Sequence, residues 1–329
     1  ALHEAGYGLG NVASLPHITV AGATGTATHG SGDANKNLSA AVSGVTLVTA
    51  SGDLATYRRG DADFDGVVVN LGALGVMAEL TLDLVPSFNV RQNIYLDMPV
   101  AAITENFDAI MSRAYSVSLF TRWQGDTVDQ LWIKALESSE APADEVLGAR
   151  AADRPYHPIS HLDGTICTVQ MGIAGPWHDR LFHFPIGQQA SAGAELQSEY
   201  FVSRANAPAA FRALHAIQDR IAPALLVSEV RSVAADTLWL SSAYGQDTIG
   251  FHFTWKLDEA AVAIAGKAVE TALAPFRPRP HWAKVFSIAP QDIQPLYPRL
   301  NDFRTLANRL DPQGKFRNGM IQRLIFDPA

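Results

Sequence analysis

The sequence predicts an α+β fold, and three observations carry that expectation. The chain has 329 residues, enough at roughly 150 per domain for about two domains and a sizeable core. Beyond residue 89 the order strand, helix, strand, strand occurs twice, which suits an antiparallel sheet with helices on one face. Charged residues make up 18%, below the roughly 25% of an average domain, so a disordered or tail-like chain is excluded.

The elements follow in order. Ala1–Leu2–His3–Glu4–Ala5 reads as the interior of a helix ending at Gly6, as if the chain were entered partway through. Residues 8 to 35 are rich in glycine and small side chains. Strands are expected over 45–48 and 54–58, joined by the turn signal Ser51–Gly52–Asp53, and over 76–84 after the glycines at 72 and 75. Past Pro86 come a strand over 91–98, a helix over 101–114, and strands over 116–123 and 128–135. Residues 137 to 161, rich in Ala, Pro and charge, read as a surface excursion. The second pass has a strand over 195–203 and a helix over 208–221, with Phe211, Leu214, Ile217 and Ile221 on one face. Strands over 226–232, 236–242 and 249–257 follow. Asp258 suits the N-cap of a helix to about 274, and a last helix is expected over 292–309.

Several function classes drop out on composition. A net charge of −8 argues against a polyanion binder, and no apolar run is long enough to span a bilayer, so neither nucleic acid nor membrane is an expected partner. Cys167 has no cysteine partner, and no Cys/His set has zinc-ligand spacing, so no metal is expected and a cytoplasmic location is.

Four segments, two of them strands of one sheet, have residue types suited to chemistry. In Gly250–Leu257, period two puts Phe251, Phe253, Trp255 and Leu257 on one face, and His252, Thr254 and Lys256 on the other. The same rule puts Glu229 and Arg231 on one face of their strand, opposite Val230. If both polar faces lie on one side of the sheet, that side presents an acid, a guanidinium, an imidazole and a hydroxyl to a ligand. Taken singly, an E-x-R pair on a strand is more commonly an exposed and weak ion pair. Lys284 follows an aromatic pair in Pro278–Lys284, where a partly apolar setting lowers a lysine's pKa; taken singly, an ordinary surface lysine is the commoner case. Thr26–Gly32 is small enough for backbone amides to approach a ligand, though most such loops are turns. Ser31 lacks the context of a nucleophile elbow, and Cys167 lacks a neighbouring base.

Six segments in this order, ASLPHITVAGATGTATHGSG, VVVNLGALGVMAELTLDL, SEVR, FHFTW, PHWAKVF and LDPQGKF, span essentially the whole chain. Together they resemble the alditol (xylitol) oxidases, a group of vanillyl-alcohol-oxidase-type flavoproteins beside the aldonolactone oxidases. The resemblance implies a two-part FAD-binding domain, incomplete at its N-terminus in this chain, with an inserted cap domain built on an antiparallel sheet covered by helices. The implied bounds are 1–88 for the FAD domain's second half, 89–288 for the cap and 289–329 for the returning segment. It also implies that a histidine linking the flavin covalently lies upstream of Ala1.

For the site, the resemblance implies FAD against Gly22, Ala23, Thr24, Thr28, His29, Gly30, Ser31 and Gly32. Leu71, Gly72, Gly75 and Val76, with Lys315 and Asn318, would complete the cradle. Lys284, Arg231 and Glu229 are the implied catalytic residues, with Ser31, His252 and Thr254 binding substrate hydroxyls. Arg231 and Lys284 would surround the oxygen of a terminal primary alcohol, Lys284 when neutral, or a group polarised through it, would take its proton, and Glu229 would orient the cations and the hydroxyl array. The implied reaction takes polyol and O2 to aldose and H2O2 in a monomer. The alternatives are an aldonolactone oxidase or dehydrogenase and a non-catalytic sugar-binding remnant.

Overall fold

The computed structural model describes residues 1–140, 143–187 and 194–327. Its centre is a large antiparallel sheet. The first three strands lie outside it: β1 (Val42–Val48), β2 (Leu54–Arg58) and β3 (Val76–Leu82) form a separate sheet in the order β2-β1-β3. The large sheet is built from β4 (Asn89–Pro99), β5 (Ser116–Thr121), β6 (Thr127–Leu136), β7 (Glu195–Ser203), β8 (Leu225–Val233) and β9 (Thr248–Lys256). Their order is β7-β9-β8-β5-β6-β4, extended at both edges by short strands. Read from the β5–β8 pair outward, β6 matches β9 and β4 matches β7. The two strand–helix–strand–strand passes are therefore two like units joined edge to edge.

The helices α1 (Val100–Met111), α2 (Ala207–His215) and α3 (Glu259–Leu273) cover one face. Period two explains the seam: Val117, Leu119, Leu131, Val230, Phe251, Phe253 and Trp255 all point into this layer and are buried with Phe107, Phe211, Leu214 and Val269. Asp258 caps α3 as expected, accepting from Ala261 N at 3.0 Å. A second core joins Val45, Leu47, Phe64, Val67 and Leu74 to Trp239, Trp282, Phe303 and Leu306, so early and late parts of the chain share it. No helix among the described residues is long and apolar enough to cross a membrane.

Four expectations need correction. Ala1–Gly6 forms turns closed by bonds such as Gly6 N to His3 O, and Gly6 at φ +83° leads into Tyr7–Gly8, which pairs with Val85–Pro86. Residues 236–242 are turns, because the Asp236 carboxylate captures the Leu238 amide and the Ser241 hydroxyl and bends the chain. The helix expected over 292–309 is split: Pro298 holds Tyr297 extended, at ψ 94°, before α4 (Leu300–Leu310). The segment 137–161 is only partly a surface excursion. It adds Glu145–Val146 and Ala149–Ala151 to the sheet edge and buries His157 and Ile159, while residues 141–142 lie outside the described residues.

Candidate active site

The sheet face opposite the helices divides into two parts. Over β4, β5 and β6 it is covered by the chain from 156 to 184, with Ile159, Cys167 and Phe184 packed on Ile94, Leu96, Phe120 and Trp132. Over β7, β9 and β8 it opens into a cavity of about 210 Å3. Register sets the contents of that cavity. His252 on β9 is paired with Glu199 on one side and Glu229 on the other, and Thr254 with Gln197. Arg231 is paired with Gly250, which has no side chain to block it. A Cβ on Gly250 would sit 3.1 Å from Glu199 Oε1. The guanidinium therefore crosses β9 and donates from Nη2 to Glu199 Oε1 at 2.7 Å, with Nη1 donating to Ser14 Oγ at 2.9 Å.

Lys284 arrives from the turn after Arg279–Pro280, which pairs with β7. The Val285 amide donates to the Gln197 carbonyl at 2.8 Å, and this fixes the turn against β7. Lys284 Nζ then donates to Glu199 Oε2 at 2.6 Å. Glu229 lies farther from Arg231, 3.6 Å from Nε, and its Oε1 contacts His183 Nε2 at 2.8 Å. The carboxylate within hydrogen-bond reach of both cations is thus Glu199, while Glu229, expected to orient them, forms a longer ion pair with Arg231. The geometry puts each cation within hydrogen-bond reach of Glu199, with no direct hydrogen bond to Glu229.

Burial sets the protonation states. It pushes the Glu199 carboxyl up, but Arg231, Lys284 and His29 overcome it and hold the group well below the usual carboxylate range. Glu229 is likewise pushed up by burial, and Arg231 and His183 bring it below that range. Burial lowers the pKa values of His29, His183, His252 and His281, with neighbouring cations adding to the effect. It also lowers that of Lys284, opposed by Glu199. The cavity wall therefore sets three carboxylate residues, Glu195, Glu199 and Glu229, with Arg231 and Lys284 among imidazoles whose neutral form burial favours. His29, Glu199 and His281 have ligand atoms within 4.8 Å of one another, the one such grouping among the described residues. Arg231 and Lys284 already occupy the carboxylate and oppose a metal cation there.

The expected residues divide as follows. Glu229, Arg231, His252, Thr254 and Lys284 line one cavity, together with Thr28 and His29. Ser31 does not line it. Its hydroxyl donates to the Val117 carbonyl, and it borders a separate small chamber with Gly30 and Arg231. The tight glycines serve packing as well: a Cβ on Gly30 would reach 2.3 Å from Val12 O, and Gly32, at φ +138°, would meet Tyr115 O at 2.3 Å. Ala23 and Thr24 line a second cavity of about 390 Å3, floored by Leu9, Val12, Leu38 and Val85, with Asn11 and Lys36 supplying polar groups. It shares Ala13 and Ile18 with the first. Gly22 lies in the short helix Val20–Gly25 beside it. Leu71, Gly72, Gly75, Val76, Lys315 and Asn318 border neither cavity; Lys315 Nζ donates to Ala50 O at 2.7 Å, and Asn318 caps the next helical turn.

Sequence reasoning missed Glu199, Gln197, His183 and His281. For the first two a signal was present, because Glu195, Gln197 and Glu199 alternate along the strand correctly expected over 195–203.

With this geometry, comparison with known proteins defines the class. Among solved structures, cholesterol oxidase from B. sterolicum superposes with a TM-score of 0.76 at 17% identity, covering 98% of this chain and 78% of that one. The two chains share a fold. The D-arabinono-1,4-lactone oxidase family model matches residues 194–324. The alditol oxidase of Streptomyces sp. is 45% identical over 98% of this chain and 77% of its own length. The L-gulono-1,4-lactone dehydrogenase of Mycobacterium tuberculosis is 27% identical over 97% and 76%. The chain belongs to the alditol oxidase family of vanillyl-alcohol-oxidase-type flavoproteins.

Proposed function

We propose that this protein oxidises the terminal primary alcohol of a polyol of the xylitol or sorbitol type to the aldose, with FAD as cofactor and O2 as final acceptor, giving H2O2. The observation that carries this reading is the pair Arg231 and Lys284 on one buried carboxylate, facing a cavity whose wall holds Gln197, His252 and Thr254. Both cations stabilise negative charge developing on the substrate oxygen, in a site dry enough for that field to count. Gln197, His252 and Thr254 bind hydroxyls that do not react, and so position the chain of carbons. Glu229, held by His183, balances the charge of Arg231.

The second cavity fits a flat ring system with polar edges: its floor is apolar, and amide and lysine groups supply polar contacts. Ala23, Thr24, Thr28 and His29 would hold FAD where the two cavities meet, and Gly22, Gly30, Ser31, Gly32, Leu71, Gly72, Gly75, Val76, Lys315 and Asn318 remain part of the proposed cradle. When bound, FAD supplies the acceptor for the hydride.

The reading includes the division into 1–88, 89–288 and 289–329, supported by the core that early and late segments share. It also includes a monomeric protein and a cytoplasmic location, the latter in keeping with a single buried thiol, Cys167. The lactone alternative has its own support in the family match over 194–324. Anaerobic flavin reduction by xylitol against L-gulono-1,4-lactone, in the flavin-loaded protein, tests the choice. Faster reduction by xylitol is expected; faster reduction by the lactone would overturn the polyol assignment.

A further inference from the structure

Lys284 presents a difficulty as the acceptor of the substrate's hydroxyl proton. With its Nζ 2.6 Å from a carboxylate that stays ionised, it is an ammonium with no lone pair to offer. The proton it holds has to leave before another enters.

The geometry around His29 offers a place for it. His29 Nδ1 lies 2.8 Å from the Gly30 carbonyl, which only accepts, so Nδ1 carries the ring hydrogen. In the neutral ring Nε2 is then a bare lone pair. It is buried, no donor among the described residues reaches it, and it faces Glu199 Oε1 at 3.1 Å. A lone pair against a carboxylate oxygen is an unfavourable contact that one added proton turns into a charge-assisted hydrogen bond. Glu199 meets Lys284 through its other oxygen.

We propose that His29 is the seat that receives the substrate's hydroxyl proton, reached from Lys284 through the Glu199 carboxylate. The inference rests on the oxidase reading above. Lys284 gives its proton to Glu199 Oε2, the carboxyl group then turns and delivers that same proton to His29 Nε2, and Glu199 is left ionised as it began. The neutral amine then takes the hydroxyl proton as the C–H bond delivers its hydride to the cofactor. The net change is alcohol to carbonyl, one hydride to the cofactor and one proton to His29. The groups that face His29 are Glu199 on β7, Glu229 and Arg231 on β8, His252 on β9, and His281 and Lys284 on the following turn, with the Phe201 ring against its edge. His29 and Glu199 act through Lys284, so they are positioning residues.

Two measurements on the flavin-loaded enzyme test this. In His29→Gln, anaerobic flavin reduction by xylitol should fall at least tenfold at neutral pH. It should then rise about tenfold per pH unit and approach wild type at high pH, where Lys284 loses its proton to solvent. A uniform loss at every pH would mark a structural role, and equal rates at neutral pH would leave the oxidase reading standing while removing the route. Failure of xylitol to reduce either protein would sink the reading and the route together. Independently of turnover, 15N-histidine NMR, with the His29 signals identified by their loss in His29→Gln, should show the neutral Nδ1–H tautomer in oxidised enzyme. After reduction by xylitol the ring should appear as imidazolium. An Nε2–H tautomer at rest, or a neutral ring in both states, overturns the proposal.

Discussion

The two strand–helix–strand–strand units share a layout, yet they treat charge on their non-helical faces in opposite ways. On β6 of the first unit, Lys134 is 1% exposed, and its ammonium donates to the carbonyls of Arg180, Leu181 and Phe182 at 2.9, 2.6 and 2.7 Å. All three protons are used on backbone, although burial pushes its pKa down to about 7. In the second unit, Glu199, Arg231 and Lys284 use one another and still border open space. A buried charge is therefore no sign of chemistry by itself. The covering chain decides: where residues 156–184 lie on the sheet the charge is structural, and where they stop it can meet a ligand.

The sharpest way to break that contrast is to remove the carboxylate that serves both purposes. Glu199→Ala leaves Arg231 and Lys284 buried without their anion, which should cost about 3–5 kcal/mol of stability. Urea denaturation of the flavin-loaded protein measures it; a loss below about 1 kcal/mol would mean that solvent already screens the cluster. Next in size, Arg231→Ala or Lys284→Ala should slow anaerobic flavin reduction by xylitol about 10²–10³-fold with the far-UV spectrum unchanged, since each supplies charge stabilisation that grows toward the transition state. A change within about threefold in Lys284→Ala would make the lysine a bystander.

The covered unit should answer differently. Lys134→Met keeps the length and apolar stem of the side chain but strips a donor from three carbonyls, at a cost of about 1–3 kcal/mol for unsatisfied buried groups. Its rate of flavin reduction should stay within about threefold of wild type. A large rate loss would mean that the cover shapes the cavity, through His183, which follows the three carbonyls and holds Glu229.

How far the sequence disclosed this follows the same division. Period two places Glu229, Arg231, His252 and Thr254 on one face, because the two strands pair without a shift from Val227 onward and the inward Val230, Phe251, Phe253 and Trp255 leave no choice of side. The strands at 54–58 and 195–203 are found at their observed bounds. Alternation cannot supply which strand lies beside which. Glu199 becomes the centre only because β9 pairs with both β7 and β8, and because Gly250 leaves a gap for Arg231. His183 has no periodic signal at all, since it comes from an irregular stretch whose position depends on Lys134 holding its carbonyls.

The smallest expected effect separates the units by acid sensitivity. His157 belongs to the cover; its Nδ1 accepts from the Ile159 amide at 2.9 Å, and burial lowers its pKa from 6.5 to about 4. A histidine with a folded pKa below its unfolded value binds fewer protons when folded. Stability therefore declines as pH falls through 6.5 toward 4, and the full contribution is present only above that window. His157 also borders the cavity, and the other histidines lining it, at 29, 183, 252 and 281, are lowered in the same direction, so their joint effect weakens the protein on acidification. Between about pH 6.5 and 5, Glu199 and Glu229 stay ionised, while Asp236, whose carboxyl burial raises to about 6, titrates with the imidazoles; comparison of two proteins that share Asp236 isolates His157. His157→Asn retains an acceptor for the Ile159 amide but has no proton to gain. Its denaturation midpoint should fall less steeply with pH than that of wild type, with the flavin reduction rate at pH 7 unchanged. Parallel curves would show that His157 meets water in the folded protein, and the cover over the first unit would then be looser than its packing implies.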